Sequence, residues 1–227
     1  MLDVNNVSFN YKNSNIPILN NLNLQVKQGE VIGVVGLSGC GKTTLMHVLN
    51  GLIPQRINGE FTGIVKINNI NIASKDLSEL ATIVGTVFQD PDNQLFFSRV
   101  EDEIAFGPEN LCVEPAEIKQ RIKSVTQLLN IEHLLPRNPN TLSGGEKQLV
   151  VIAAILSLNV KLLILDECMT QVDTQGKELI MNAIKKLKQN KTTIIMVEHD
   201  YNNLSLADKV YHLKDGQLTL FNGDMKK

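Results

Sequence analysis

Cysteine and long apolar runs are both scarce in this sequence of 227 residues. The three cysteines, Cys40, Cys112 and Cys168, lie far apart without any C-x-x-C pair, which argues against a disulfide framework or a zinc site. The longest apolar run, residues 149–156, is far shorter than the ~18 residues that a membrane helix needs. A reduced cytosolic setting is therefore expected, and any membrane spans would have to come from another chain.

An excess of charge of one sign is also missing. The formal net charge is −2, and the basic residues are scattered along the chain. Because nucleic-acid binding depends on clustered Lys and Arg that neutralise phosphates, no nucleic-acid partner is expected. The sequence shows no internal repeat and no sustained heptad pattern. Residues 1–4 already alternate like a strand, so no signal peptide is expected.

Hydrophobic periodicity predicts strands that alternate with helices. Strands are expected at residues 2–9, 22–26, 31–35, 64–67, 70–72, 83–88, 162–165, 192–197, 210–213 and 217–221, and helices at 42–50, 100–106, 115–130, 144–158 and 175–188. Continuous apolar strands are typical of a sheet buried on both faces. The prediction is an α/β protein with a mainly parallel sheet, in which residues 1–88 and 161–227 form the core and 89–160 an inserted helical subdomain.

A glycine-rich motif lies between a predicted strand and a predicted helix. Residues 36–43 read G-L-S-G-C-G-K-T and match the phosphate-binding pattern G-x-x-x-x-G-K-[ST]. Inward-pointing backbone N–H groups and the helix N-terminus should form an anion cradle, which a plain glycine-rich turn would not need. Lys42 is expected to reach the β- and γ-phosphates and the Thr43 hydroxyl to coordinate Mg²⁺. The predicted binding residues here are Gly36, Ser38, Gly39, Gly41, Lys42, Thr43 and Thr44.

Two acids end a later apolar strand. Residues 162–167 read L-L-I-L-D-E, and successive strand side chains point to opposite faces, so Asp166 and Glu167 should have different tasks. Asp166 is expected to help hold Mg²⁺ and Glu167 to act as general base on the attacking water. The alternative, two solvated acids at a strand end, is less consistent with a complete phosphate loop in the same chain.

The segment 142–148, L-S-G-G-E-K-Q, predicts a helix start. Ser143 and Glu146 fit a capping box, and the two glycines leave the helix N-terminus free of side chains. A cap alone does not explain Gly-Gly, which costs helix stability, whereas a phosphate site does. The segment resembles the signature of ATP-binding-cassette (ABC) ATPases, and the resemblance extends over essentially the whole chain.

The resemblance implies a single ABC ATPase domain over residues 1–227, with a P-loop NTPase core, an antiparallel β subdomain and the helical subdomain. ATP and Mg²⁺ are the implied cofactors. By position, Tyr11 would stack on adenine, and Gln89 would join the core to the helical subdomain and sense Mg²⁺ and the attacking water. Asp173 would lie on a loop that crosses a dimer interface, and His199 would contact the γ-phosphate.

A dimer is part of this implication. In the family, two cassettes meet head to tail, so that Ser143, Gly144 and Gly145 of one cassette bind the ATP held by the phosphate loop of the other. The second cassette could be identical or a paralogue. Three departures from the common pattern stand out: Cys168-Met169 in place of Pro-Thr, residues 170–173 reading T-Q-V-D in place of S-A-L-D, and Leu149 in place of Arg.

Residues 87–96, V-F-Q-D-P-D-N-Q-L-F, and 106–111, F-G-P-E-N-L, resemble the ATPases of energy-coupling-factor (ECF) transporters, which import vitamins and metal ions. In that group the segment after the glutamine forms a short helix beside the groove that grips the membrane partner. The alternative is a generic loop. ECF ATPases often carry a further C-terminal region, so a minimal or shortened cassette is expected.

The implied function is an ATPase subunit, peripheral at the cytoplasmic face of the cell membrane, that powers import of a small solute through separate integral membrane subunits. Four alternatives remain open. They are the ATPase of a conventional ABC importer or exporter, an ABC ATPase acting on DNA, a translation-associated cassette, and a regulatory cassette that does not hydrolyse ATP. Long heptad insertions would indicate an ABC ATPase that acts on DNA. Two cassettes in one chain with basic linkers would indicate a translation-associated cassette, and loss of Glu167 would indicate a regulatory cassette.

Overall fold

The computed structural model describes residues 1–12, 14 and 16–221. Its strands are β1 (Leu2–Tyr11), β2 (Leu19–Val26), β3 (Val31–Val35), β4 (Gly59–Ile67), β5 (Ile70–Asn71), β6 (Val84–Val87), β7 (Leu162–Asp166), β8 (Thr193–Glu198), β9 (Lys209–Lys214) and β10 (Gln217–Leu220). Its helices are α1 (Lys42–Leu49), α2 (Leu52–Gln55), α3 (Leu77–Leu80), α4 (Val100–Asn110), α5 (Pro115–Leu129), α6 (Gly144–Ser157) and α7 (Thr174–Gln189). Among the described residues, no helix combines the length and apolarity needed to cross a membrane.

The strands form two sheets. An antiparallel sheet has the order β2-β1-β4-β5, and a six-stranded sheet has the order β10-β9-β3-β8-β7-β6. In the second sheet β6, β7, β8, β3 and β9 run parallel, and only β10 pairs antiparallel, with β9. The predicted α/β class, with a mainly parallel sheet and an antiparallel β portion, is confirmed.

The six-stranded sheet separates two hydrophobic cores. Along β3, Val31 and Val35 belong to the core that the sheet shares with α4, α5, α6 and α7, whereas Ile32 and Val34 belong to the core that it shares with α1 and the antiparallel sheet. The same alternation continues along β7 and β8. Because side chains point to opposite faces in turn, a strand covered on both sides must be apolar throughout, as these strands are.

Helix α4 is longer than predicted, because it continues to Asn110 through Pro108. The predicted end at residue 106 was wrong. A proline inside a helix lacks the N–H that would bond the carbonyl four residues earlier, here that of Ile104. The hydroxyl of Ser157, at the end of α6, lies 2.9 Å from the Ile104 carbonyl oxygen and 2.7 Å from that of Ala154, and its single hydrogen is shared between these two acceptors. A contact from a distant part of the chain thus replaces the bond that the proline removes.

The parallel strands bring the predicted site residues to one edge of the sheet. The phosphate loop (residues 36–43) follows β3, and Gln89 lies two residues after β6. Asp166 ends β7 with Glu167 next, and His199 follows β8. Since the carboxyl ends of parallel strands share an edge, segments that are distant in sequence converge there, which is the usual place for a ligand in an open α/β sheet.

Candidate active site

A cavity of about 440 Å³ opens at this edge of the sheet. Its lining includes most of the predicted site residues: Tyr11, Ser38, Gly39, Gly41, Lys42, Thr43, Thr44, Gln89, Asp166 and Glu167. Ile18, which was not predicted, also lines it. One concave surface is therefore formed by residues of the antiparallel sheet, the phosphate loop, the segment after β6 and the end of β7. Ligand sites are commonly concave in this way.

The phosphate loop depends on its glycines. Gly39 and Gly41 have φ values of +78° and +106°, a region that side chains rarely adopt. A Cβ on Gly36 would lie 2.5 Å from the Leu213 carbonyl oxygen, so this position accepts no side chain. The loop bends around the buried Lys42, whose Nζ donates to the carbonyls of Gly36 at 2.9 Å and Leu37 at 3.2 Å.

Tyr11 lies beside the helix that follows the phosphate loop. Its hydroxyl shares a hydrogen bond of 3.1 Å with Thr44 Oγ1, and its ring makes an edge contact with Phe9 at a centroid distance of 4.9 Å. These two contacts fix the orientation of the ring at the wall of the cavity. An aromatic face held in this way can receive a planar base.

Glu167 has an unusual backbone conformation. Its φ is +47°, in the left-handed region that costs a residue with a Cβ roughly 1–2 kcal/mol. Its N–H donates to the Val197 carbonyl at 2.9 Å, which ties it to β8. The carboxylate lies 3.8 Å from Lys42 Nζ and 3.7 Å from His199 Nδ1. Strain of this kind is common where a side chain must be held in a functional orientation.

Two acids near the cavity hold their protons more tightly than usual. Burial, with the adjacent Glu167 carboxylate, raises the pKa of Asp166 to about 6, although Lys42 opposes the shift. Burial also raises the pKa of Glu198 to about 7. The side-chain amide of Asn203, which donates to Glu198 Oε2 at 3.0 Å, acts in the opposite direction and lowers this pKa. Glu198 was missed in the sequence, because an acid at the end of a strand gives no pattern that distinguishes a buried carboxylate from an exposed one.

The signature residues lie apart from this cavity. Ser143 caps α6 as predicted: Ser143 Oγ accepts from the N–H of Glu146 at 3.3 Å, and the Ser143 N–H donates to Glu146 Oε2 at 2.8 Å. Within the described part of the chain, neither the residues 143–145 nor Asp173 lines the cavity. The carboxylate of Asp173 caps α7 by accepting from the N–H of Gly176 at 2.8 Å.

The two signature glycines do different things. Gly144 is exposed and leaves the start of α6 open, as predicted for the pair. Gly145 is buried, and a Cβ at this position would lie 2.5 Å from the Gly176 Cα. Gly145 thus allows the N-termini of α6 and α7 to touch, and the role of both glycines at a phosphate remains a prediction.

Comparison with known proteins assigns the chain to a family. A family model described as ABC transporter matches residues 19–170. A putative ABC transporter ATP-binding protein of Pyrococcus abyssi is 43% identical over 97% of this chain and 79% of its own length. This chain is an ABC transporter ATPase. The energy-coupling factor transporter ATP-binding protein EcfA1 of Ligilactobacillus salivarius is 36% identical over 96% of the ATPase and 76% of its own length.

Solved structures support the same assignment. The ATPase resembles cbiO1 of Clostridium perfringens, described as part of the ABC transporter complex cbiONQ, with a TM-score of 0.87 and 33% identity over 96% of this chain and 86% of that one. It also resembles the cassette MJ0796, a dimer in a post-hydrolysis state with ADP and Pi, with a TM-score of 0.79 and 28% identity over 99% and 100% of the two chains. The ATPase spans between 35% and 79% of the length of eight curated relatives that it matches.

The departures from the common sequence pattern lie inside the ATPase. Cys168 and Met169, in place of Pro-Thr, are fully buried in the core that includes α4 to α7, and burial raises the pKa of the Cys168 thiol. Leu149, in place of Arg, is also buried in that core. Apolar packing thus occupies positions where the family commonly has other residues, while the acids at 166 and 167 remain at the cavity.

Proposed function

We propose that this ATPase is the motor subunit of an ECF-type transporter and powers the import of a small solute, a vitamin or a metal ion, through separate integral membrane subunits. It would lie at the cytoplasmic face of the membrane. The observation that carries the proposal is an exposed aromatic surface around the segment that follows Gln89. Similarity to EcfA1 and to cbiO1 supports the ECF branch.

This aromatic surface consists of Phe88, Phe96, Phe97, Phe106 and Leu111, all exposed, with Phe96 the most exposed at 75%. Phe97 and Phe106 contact each other at a ring-centroid distance of 5.1 Å. Exposed apolar residues that are grouped in this way commonly mark a protein–protein contact. A surface this close to Gln89 could transmit movement of a membrane partner to the nucleotide site.

The segment beneath this surface is held firmly in place. Glu103, buried in α4, accepts hydrogen bonds from the N–H groups of Phe96 and Phe97, both at 2.8 Å. After β6, Asp90 has an extended backbone conformation, as its position before Pro91 predicted. Residues Pro91–Asn93 then form one turn of 3-10 helix. The segment thus has a defined shape that a partner could recognise.

In the proposed mechanism, two cassettes close around two ATP molecules. Backbone N–H groups of the phosphate loop and Lys42 bind the β- and γ-phosphates, and Tyr11 stacks on the adenine. Ser143, Gly144 and Gly145 of the partner cassette cover the γ-phosphate, with Asp173 at the interface between the two cassettes. The proposal requires a dimer because the signature residues lie outside the cavity of their own chain.

Hydrolysis is assigned to residues around Glu167. Glu167 accepts a proton from the water that attacks the γ-phosphorus, the bond to the bridging oxygen of ADP breaks, and phosphate leaves. His199, 3.7 Å from the Glu167 carboxylate, contacts the γ-phosphate and keeps the base oriented. Gln89 orients the water. Lys42, also near Glu167, neutralises charge on the phosphates.

A Mg²⁺ ion fits the donor set that the cavity offers. The hydroxyl of Thr43, the amide oxygen of Gln89 and the carboxylate of Asp166 all line the cavity, and Mg²⁺ prefers such oxygen ligands together with phosphates and water. When bound, the ion would neutralise charge that develops on the phosphates. Coordination would also favour the ionised form of Asp166, whose pKa is otherwise raised by burial.

Co-purification tests the ECF assignment. The ATPase, tagged and expressed with the membrane proteins encoded beside its gene, is expected to retain a membrane complex that contains a small substrate-binding membrane protein. Phe96→Asp should abolish this retention while ATP hydrolysis by the isolated subunit stays at the parent rate, because Phe96 does not line the nucleotide cavity. Glu60→Ala, an exposed change far from the aromatic surface, is the control.

The same experiment distinguishes the alternative. Similarity to the cassette MJ0796 over the whole length of both chains favours a conventional ABC transporter as the second candidate. Recovery of a standard fused permease alone, without a substrate-binding membrane protein, would contradict the ECF assignment and support that candidate. Retention of the complex by the Phe96 variant would contradict the role of the aromatic surface.

A further inference from the structure

The backbone that carries Gln89 is fastened by side-chain amides. β6 is an edge strand of the parallel sheet, so one side of its backbone lacks a neighbouring strand. Gln94 takes the place of that neighbour: its Nε2 donates to the Thr86 carbonyl at 3.0 Å, and its Oε1 accepts from the Phe88 N–H at 2.7 Å. The chain therefore leaves β6 along a fixed path before it reaches Gln89.

A second amide reaches the same backbone from α6. Gln148 Nε2 donates to two consecutive carbonyls, those of Phe88 at 3.1 Å and Gln89 at 3.0 Å. The Gln148 side chain is 0% exposed. Both hydrogens of one buried amide are thus used on the peptide units at Phe88 and Gln89. Removal of the amide would leave these partly buried carbonyls without their donor, which is unfavourable.

Gln148 lies in the same helix as the signature residues. Gln148 lies in the second turn of α6, whose N-terminus carries Ser143, Gly144 and Gly145. In the proposed dimer, that N-terminus faces the ATP held by the partner cassette. The first turns of one helix thus connect the signature segment, which would bind the partner's ATP, to Gln89, which lines the cavity of its own chain.

A neighbouring ion pair spans the same two elements at the surface. Lys147 Nζ lies 2.6 Å from Asp92 Oδ1; the Lys147 side chain is mostly buried, whereas that of Asp92 is 60% exposed. Exposed ion pairs contribute little to stability, because solvent and salt screen them. The Lys147–Asp92 pair therefore provides a matched control for the buried contact: it joins the same helix to the same segment without touching the Gln89 peptide.

We propose that Gln148 is a positioning residue for ATP hydrolysis: it holds the backbone at Gln89 and thereby couples the signature end of α6 to the nucleotide site of its own chain. The inference rests on the proposed role of Gln89 in orienting the attacking water. Movement of α6 when the signature binds the partner's ATP would pass through Gln148 to Gln89, so that each site responds to the other.

The test is a double-mutant cycle on the full-length ATPase with Mg²⁺ and ATP. Gln148→Leu removes both donors, and Gln148→Glu keeps the shape but, when ionised, offers only acceptors to the two carbonyls. Each is expected to lower kcat by about tenfold to a hundredfold through misplacement of Gln89, with KM for ATP close to that of the parent. Both should also unfold at a lower temperature, Gln148→Glu more so, because two carbonyls lose their donor and a carboxylate at this buried position has no partner. Asp92→Ala, which removes the exposed partner of the ion pair, should leave kcat within about twofold.

The cycle with Gln89→Ala decides how Gln148 acts. If Gln148 acts through Gln89, the double variant Gln89→Ala/Gln148→Leu is no slower than Gln89→Ala alone. Losses in kcat that add up in the double variant would contradict the proposal. It would also be contradicted if both Gln148 variants had the kcat of the parent. Failure of both Gln148 variants to fold would show that Gln148 has a structural role only. If Gln89→Ala had the same kcat as the parent, the proposed role of Gln89 would be refuted. If Gln89→Ala were slow but Gln148→Leu had the kcat of the parent, only the coupling through Gln148 would be refuted.

Discussion

At the scale of single residues, the chemistry converges on Glu167. The carboxylate lies between Lys42 and His199, and its backbone has a positive φ that β7 and β8 hold in place. The two acids at the end of β7 also have different environments: burial and the neighbouring carboxylate raise the pKa of Asp166, while the Glu167 carboxylate lies within 4 Å of two nitrogen atoms. These differences suit separate tasks for the two acids.

Lys42 offers a direct test of phosphate binding. Lys42→Ala should weaken ATP binding at least about a hundredfold, because hydrogen bonds to charged groups contribute roughly 1.5–3 kcal/mol each and the ammonium can reach two phosphates. Isothermal titration with ATP and Mg²⁺ measures the change. Lys161→Ala, which alters an exposed lysine, is the control and should bind like the parent. Unchanged affinity in the Lys42 variant would contradict the assignment of the loop.

Glu198 predicts a specific pH dependence of stability. Burial raises its folded pKa from 4.5 to about 7, so between these pH values the folded protein holds a proton that the unfolded chain has released. Stability from this group is therefore present below about pH 4.5 and lost as pH rises to about 7. The free energy of unfolding should fall by about 3 kcal/mol in total, because each unit of difference between the folded and unfolded pKa corresponds to roughly 1.4 kcal/mol.

Replacement of Glu198 should remove this loss. Urea unfolding of Glu198→Gln and the parent, each at pH 5 and pH 8, should show a stability difference that moves in favour of the variant at the higher pH. Asn203→Ala, which removes the amide that donates to the Glu198 carboxylate, should shift the parent's loss to a larger value. A stability difference that is the same at both pH values would show that Glu198 does not titrate between them.

At the scale of elements, α6 and α7 begin side by side. Gly145 faces Gly176 so closely that a Cβ would lie 2.5 Å from the Gly176 Cα, and Asp173 caps α7 in the same region. The signature segment and the loop at residues 170–173 are therefore packed as one unit. Both were predicted to contact the partner cassette, and their close packing would let them move together.

Gly145→Ala tests this packing. The Cβ requires α6 and α7 to separate, and overpacking of this kind costs about 1–3 kcal/mol, more than the gain in helix propensity of about 1 kcal/mol. The Cβ of Gly144→Ala would lie 3.3 Å from Val172 Cγ1 and 3.9 Å from the Gln171 carbonyl oxygen, so this change should be nearly neutral or slightly stabilising. Thermal unfolding of the two variants measures the difference. Equal unfolding temperatures would contradict the contact.

Local features of the fold were predictable, and long-range ones were not. The glycine-rich turn between β3 and α1 and the capping box at Ser143 were predicted correctly, because neighbouring residues determine them. The continuation of α4 through Pro108 depends on Ser157, and the placement of Gln89 depends on Gln148, 59 residues away in the sequence. Such contacts leave no period in the sequence. The start of β2 at Leu19 and the shortness of β5 were missed for a related reason, since pairing partners decide strand ends.

At the scale of the whole molecule, the proposed function gives the ATPase two functional surfaces. The cavity at the sheet edge faces a second cassette in the proposed dimer, and the aromatic surface around Phe96 would face the membrane partner. The segment from Gln89 to Phe97 connects the two, held by Glu103 in α4 and by Gln148 in α6. Movement at either surface would therefore act on the residue proposed to orient the attacking water.

In the proposed dimer, the activity of each site would also depend on the partner's signature. A mixture of cassettes in which one copy carries Ser143→Arg would block one of the two nucleotide sites, because a long charged side chain would occupy the helix start that Ser143 now caps. This arrangement makes hydrolysis a property of two chains. The base, however, belongs to each chain alone, so its removal should act at every site.

Glu167→Gln tests the central claim most directly. The substitution keeps the size of the side chain and removes its capacity to accept a proton, so steady-state ATP hydrolysis should fall by roughly 10²- to 10⁴-fold while ATP affinity stays within a few-fold of the parent. With ATP and Mg²⁺, size-exclusion chromatography should show an accumulated dimer. Hydrolysis at the parent rate by the Glu167→Gln protein would contradict the assignment of Glu167 as the general base.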